Sequence, residues 1–95
     1  MKKSFPLKAL GKDDARVRDK IRQEVNTYVR RERQKTLPEG FDLWAFNCKV
    51  GASAAAAEAL PLKEIGGAID AVAKAGATEV FIAILAAPGL RKFPA

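Results

Sequence analysis

The chain has 95 residues and a net charge of +6, which is the size of one domain and too short for two independent cores. Apolar residues make up 48% of it, enough for one modest core. Histidine is absent and cysteine occurs once. These facts exclude an internal disulfide and a histidine-activated nucleophile, and they argue against a zinc site.

The positive charge is concentrated near the N-terminus. Residues 1–40 hold twelve Lys or Arg and six acids, whereas residues 41–90 hold three and five. No segment has the apolar length needed to cross a bilayer, and the N-terminal residues lack the apolar core of a secretory signal. Together with the single cysteine, this predicts a cytoplasmic protein with no membrane association.

The N-terminal part of the chain predicts a strand and then a long helix. Phe5 and Leu7 lie on one side of an extended run over residues 3–10, where the nitrogen of Pro6 must point away from any neighbouring strand. After a possible N-cap at Asp13 or Asp14, apolar residues recur at helical spacing. This stripe consists of Val17, Ile21, Val25 and Tyr28, flanked by Val29. Leu37-Pro38-Glu39-Gly40 ends the helix.

The second half predicts three strands and one helix. Residues 41–50 alternate as a strand with Trp44 on the inner side, and residues 55–60 predict a short return strand despite their alanines. KEIGGAIDAVAKAGA then has helical spacing, with Gly76 at its end. Residues 78–86 form a strand that is apolar on both faces. Pro88-Gly89 ends it, which leaves 88–95 as a flexible basic tail.

This order of elements, β-α-β-β-α-β, predicts an α/β (α+β) fold. We expect a ferredoxin-like two-layer sandwich, with two helices on one face of a four-stranded antiparallel sheet. Residues 1–95 then form a single domain. Without a strand at 55–60, a three-stranded α/β layer remains.

No residue pattern in the chain predicts catalysis. Cys48 shares the inner side of its strand with Trp44, so it is expected to be a buried and inert thiol. Gly66 and Gly67 are expected to let the second helix pack closely on the sheet, with an anion site near Lys63 as the alternative. Nucleotide-phosphate motifs are absent. We therefore predict no enzyme, no cofactor, no metal and no catalytic residue.

The arginines of the first helix are the main candidate site. Arg22, Arg30 and Arg33 fall together opposite Val17 on a helical wheel. A solvated helix whose last turn compensates the helix dipole is the simplest interpretation. The alternative is non-specific binding of the nucleic-acid phosphate backbone, RNA before DNA. The predicted contact residues are Arg16, Arg22, Arg30, Arg31, Arg33, Arg91 and Lys92.

An apolar sheet face is the second candidate. If Val80 and Ile82 face the helices, then Leu43, Phe81 and Leu85 lie together on the opposite face. RNA-recognition modules stack bases on such a face, but TEVFIAIL contains no basic residue. A large exposed apolar patch is typical of an interface, so we predict a homodimer or a protein partner as the alternative.

Four motifs together resemble one family. They are MKKSFPLK, RRERQKTLPEG, D-x-W-x-F-x-C-K beginning at Asp42, and ILAAPG. In combination they resemble an uncharacterised family of small bacterial proteins, a domain of unknown function, over nearly the whole chain. This resemblance implies no activity, cofactor or catalytic residue. The family often has an acid at the position of Asn47 and a histidine at that of Leu90, and this chain departs from it at both. Members of the family tend to have β-branched residues where this chain has the alanine-rich 55–60, which supports the return strand.

Overall fold

The predicted order of elements is confirmed by a computed structural model of the chain, which describes residues 1–8 and 14–89. The N-terminal half contains β1 (Lys2–Pro6), α1 (Asp14–Arg33) and β2 (Leu43–Gly51). The remainder contains β3 (Glu58–Leu60), a 3₁₀ turn (Leu62–Glu64), α2 (Ile65–Lys74) and β4 (Glu79–Gly89).

The four strands form one antiparallel sheet in the order β1-β4-β2-β3. The two central strands, β4 and β2, pair from Leu43 opposite Gly89 to Gly51 opposite Phe81. Each strand-helix-strand unit skips one strand, because β4 lies between β1 and β2, and β2 lies between β3 and β4. The α/β class, the four-stranded antiparallel sheet and the two helices are confirmed. The ferredoxin-like topology is not confirmed, since β1 and β3, which open the two units, lie at the edges.

The core lies between both helices and one face of the sheet. The predicted stripe of α1 is confirmed at Val17, Ile21, Val25 and Val29, which are all buried. They share one cluster with the remaining buried residues: Phe5, Leu7, Cys48, Val50, Ile65, Ile69, Val80, Ile82 and Ile84. Because side chains alternate along a strand, the other face of β4 presents its odd-numbered residues to solvent.

The strand β4 continues through Pro88, where we expected it to end. The backbone groups of alternate residues in an antiparallel ladder point to the same neighbour. The N–H of Ile84 donates to the carbonyl of Met1 at 2.7 Å, so the nitrogen of Pro88, four residues on, also faces the β1 side. The strand β1 pairs no further than this point, and Pro88 therefore leaves no ladder donor missing. Pro88 and Gly89 pair with β2, so these two residues of the predicted tail belong to the sheet, and residues 90–95 lie outside the described residues.

Pro6 follows the same rule at the sheet edge. The N–H of Leu7 donates to the carbonyl of Thr78 at 2.9 Å, so the nitrogen of the preceding Pro6 points away from β4. This orientation is the one that the sequence predicted. It is possible because β1 is an edge strand, where a missing donor costs no ladder hydrogen bond.

The return strand is shorter than predicted and is held close to β2. Only Glu58–Leu60 pairs as β3, and the residues before it form a bent segment. A Cβ atom added at Gly51 would lie 2.6 Å from the Cα of Ala57. Glycine at position 51 is therefore required for the backbone of this segment to approach β2.

The predicted role of the paired glycines in α2 is wrong. A Cβ atom at Gly67 would meet nothing within 4 Å, and one at Gly66 would meet only the Arg22 side chain, with its Nε at 3.5 Å. Neither glycine lets α2 approach the sheet, because both lie on helix surface that faces solvent or α1. Gly76, by contrast, has φ of 91° and ends α2 as predicted.

Two glycine-to-alanine substitutions should therefore have opposite effects on stability. Gly51→Ala should lower the free energy of unfolding by about 1–3 kcal/mol, because the new methyl group clashes with backbone. Gly67→Ala should raise it by up to about 1 kcal/mol, because alanine is the better helix former and open space surrounds it. Urea unfolding of both variants tests this, and effects of the same sign would contradict the described packing.

Candidate functional site

The side of α1 that faces α2 uses its arginines in an ion-pair cluster. Asp70 of α2 accepts from Arg22 Nη2 in a very short contact and lies 3.2 Å from Arg18 Nε through the same oxygen, Oδ1. Arg22 Nη1 also donates to Asp19 Oδ1 at 2.9 Å. The contact of Arg18 is ionic only, since its buried Nε has no hydrogen bond among the described residues. Arg22, a predicted phosphate contact, is therefore committed to joining the two helices.

Two further acids of α1 are paired with lysines. Glu24 Oε2 lies 3.5 Å from Lys3 Nζ of β1, and Lys3 also lies 4.9 Å above the ring of Phe5. Glu32 accepts from Lys35 at the C-terminal end of the helix, with Nζ 2.9 Å from Oε2. The carboxylates of α1 thus neutralise cations at its flanks and its end.

Four cations on the solvent side of α1 form no ion pair with an acidic side chain among the described residues. Arg16, Lys20, Arg30 and Arg31 are exposed, and none forms an ion pair within residues 1–8 and 14–89. From Arg16 to Arg31 the helix rises about 22 Å. Exposed amide and hydroxyl side chains lie between them. We call this surface the outer face of α1, and it consists of Arg16, Lys20, Gln23, Asn26, Thr27, Arg30 and Arg31.

At the C-terminal end of α1, an arginine and two aromatic rings meet. The Arg33 guanidinium lies 5.5 Å from the centroid of the Phe46 ring. Two residues away on β2, Trp44 donates its indole N–H to the carbonyl of Lys35 at 3.0 Å. Both rings are half-buried. We call Arg33, Trp44 and Phe46 the aromatic end of α1.

The expected core position of Trp44 is wrong. Phe46 packs against the buried cluster, whereas Trp44 is not among the side chains packed against it in the described part of the chain. The helix ends at Arg33, so β2 and β4 extend past the layer that would cover Trp44. The alternation in 41–50 identified the correct face of the strand, but it could not show how far the helix reaches along it.

Cys48 lies in the core, as predicted. It is buried, and burial raises the pKa of its thiol above the ordinary value, which disfavours the reactive thiolate. Among the described residues, no group of three or more Cys, Asp and Glu side chains could hold a metal. Nor does any helix among them have the length and hydropathy needed to cross a bilayer.

The sheet face opposite the helices holds the predicted apolar residues. Leu43 and Phe81 are half-buried, and Leu85 is 64% exposed. Lys2 of β1 and Lys49 of β2 both pair with Ala83, so they lie on either side of Ala83 on this face. Ala83 is the residue of β4 that follows Phe81 on the same face. These two lysines could not be predicted as neighbours from the sequence, because only the strand register brings them together.

The alternative anion site near Lys63 gains no support. An open groove is lined there by Leu60, Lys63, Glu64, Gly67 and Ala68. The carboxylate of Glu64 opposes the binding of an anion beside Lys63. The predicted tail contacts, Arg91 and Lys92, lie outside the described residues.

Comparison with known proteins identifies one family. The sequence model of a family of unknown function, DUF6172, matches residues 1–94. The chain belongs to DUF6172. This membership confirms the resemblance to an uncharacterised domain and assigns it no activity. No curated protein and no solved structure matches the chain, so a function for this DUF6172 protein has to be argued from its own residues.

Asp70→Asn should test the ion-pair cluster between the helices. The pairs are partly exposed, so we expect the free energy of unfolding to fall by about 1 kcal/mol or less, and by less still at high salt. Glu79→Gln, which removes an exposed acid of β4, is the matched control and should have a smaller effect. Equal effects of the two substitutions would contradict the cluster.

Proposed function

We propose that the chain is a non-enzymatic cytoplasmic protein that binds the phosphate backbone of nucleic acids through the outer face of α1. The unpaired state of Arg16, Lys20, Arg30 and Arg31 within the described residues supports this proposal. Their charge projects into solvent along about four turns of the helix. A row of cations of this kind attracts a polyanion and displaces its counterions.

The chemistry of the outer face suits phosphate groups. An arginine guanidinium can donate two parallel hydrogen bonds to phosphate oxygens. Gln23, Asn26 and Thr27 lie among the cations, and amide and hydroxyl side chains are common phosphate contacts. Among residues 1–8 and 14–89, no side-chain hydrogen bond holds Gln23, Asn26 or Thr27 in an orientation that would select a base. The proposed binding is therefore independent of sequence and strongly dependent on salt.

The proposed contact set differs from the one predicted from sequence. Arg22 donates to two aspartates, whose charges offset its own, so it is left out of the proposed contacts. Arg16, Arg30 and Arg31 stay in the proposal, and Lys20 joins them. Arg33 lies against Phe46 and belongs to the aromatic end of α1. The outer face thus provides four cations, one of which the sequence analysis had not included.

Neutralising two of these cations should weaken binding in a measurable way. In Arg30→Gln/Arg31→Gln, two phosphate contacts are lost, so the slope of log affinity against log salt should become shallower by nearly two for a duplex. Labelled duplex DNA and inorganic polyphosphate are suitable probes. Glutamine is a good helix former, so α1 should stay folded.

The matched control is Lys63→Gln/Lys74→Gln, which removes the same net charge from exposed positions outside α1. It should retain a salt slope close to that of the unsubstituted chain. An equal loss in both double variants would mean that net charge, and not the outer face, attracts the polyanion. Absence of any binding at low salt would reject the proposal.

A second candidate function is self-association through the sheet face opposite the helices, with a second copy of the chain as the partner. Leu85 supports it. This side chain is 64% exposed and lies at the middle of the paired region of β2 and β4, opposite Asn47. Small side chains at Ala45, Ala83 and Ala87 keep this surface flat. Such a surface suits the packing of two sheets face to face.

Leu85→Asn should shift a dimer to monomer if this second function is correct. Phe41→Asn is the matched control, because Phe41 is also a large exposed apolar residue, at 42%, and lies before β2. Sedimentation velocity at several concentrations measures the state. A protein that stays monomeric at high concentration before any substitution would reject self-association.

A further inference from the structure

We propose that the aromatic end of α1 binds single-stranded nucleic acid, with bases stacked on Trp44 and Phe46 and phosphates on the neighbouring arginines. This inference rests on the proposed function and names its ligand more closely. Its evidence is separate, because it depends on two aromatic rings that the outer face does not contain.

The two rings project from the same side of β2. Trp44 and Phe46 are two residues apart, which separates them by about 7 Å along the strand. Trp44 is held through its edge by the hydrogen bond to the Lys35 carbonyl, and Phe46 is held by the core at one side. Both are half-exposed. Two rings fixed side by side can receive successive bases.

The arginines next to these rings supply the charge complementarity. Arg33 already lies over Phe46, and Arg30, three residues earlier and therefore on the same side of α1, forms no ion pair among the described residues. A guanidinium plane can itself stack on a base. Stacking of a base on an aromatic ring is generally stronger than an exposed cation–π contact. A base can therefore replace Arg33 on Phe46 and release it to a phosphate.

This arrangement favours single strands over duplexes. Bases in a duplex are stacked on each other and cannot reach a protein ring without unpairing, whereas the bases of a single strand are accessible. Inorganic polyphosphate offers the charge without any base. Binding through the outer face alone would depend only on charge and would not distinguish a single strand from other polyanions. Binding at the aromatic end adds a preference for bases.

The single tryptophan of the chain allows a direct experiment. Oligoadenylate, a duplex of matched length and polyphosphate are titrated at low salt while the fluorescence of Trp44 is recorded. We expect oligoadenylate alone to quench the fluorescence strongly. Trp44→Leu should weaken oligoadenylate binding by about tenfold, the size of one lost stacking contact, with polyphosphate affinity unchanged.

Two further variants distinguish a loss of base stacking from a loss of folding. Phe46→Leu keeps the tryptophan and should reduce both the quenching and the oligoadenylate affinity. Gly67→Ala, at an exposed position of α2 with open space around it, should change neither. If polyphosphate binds but oligoadenylate neither quenches Trp44 nor depends on it, the inference is overturned and the proposed function stands. If no polyanion binds, both are overturned.

Discussion

The burial of the valine-rich stripe of α1 against one face of the sheet determines the orientation of every other side chain on that helix. Val17, Ile21, Val25 and Val29 pack into the same cluster as Ile69, Val80, Ile82 and Ile84, the last four being almost fully buried. A helix fixed along one stripe presents its remaining positions at defined angles. The arginines of α1 therefore cannot all play one role, because they point in different directions.

The position of Asp70 determines which of these arginines are available to contact a ligand. Its carboxylate lies within reach of both Arg18 and Arg22, so the two cations nearest α2 join the helices to each other. The cations on the far side form no ion pair in the described part of the chain. The same helix thus has a structural basic side and a basic side open to solvent. Total charge does not distinguish the two, because ion pairing depends on which carboxylate lies opposite.

Local patterns predicted most of the fold. The spacing of Val17, Ile21 and Val25 determined both the helix and its inner side, and alternation in residues 41–50 determined a strand and its faces. The predictions that were wrong concerned features that depend on residues distant in the sequence. The strand continues through Pro88 because β1 pairs no further along β4 than Ala83, and Trp44 lies outside the core because α1 ends at Arg33. The partners of Arg22 and the lysines flanking Ala83 likewise follow from helix packing and strand register, which no short motif contains.

The division of α1 into two basic sides can be measured directly by NMR of the arginine side chains, with ¹⁵N-labelled protein and polyphosphate added at low salt. The Nε–H signals of Arg18 and Arg22 should barely shift when polyphosphate is added, because both guanidinium groups lie against Asp70. Those of Arg16, Arg30 and Arg31 should shift on addition of the polyanion. Equal shifts for both sets would contradict a helix with one committed and one available basic side.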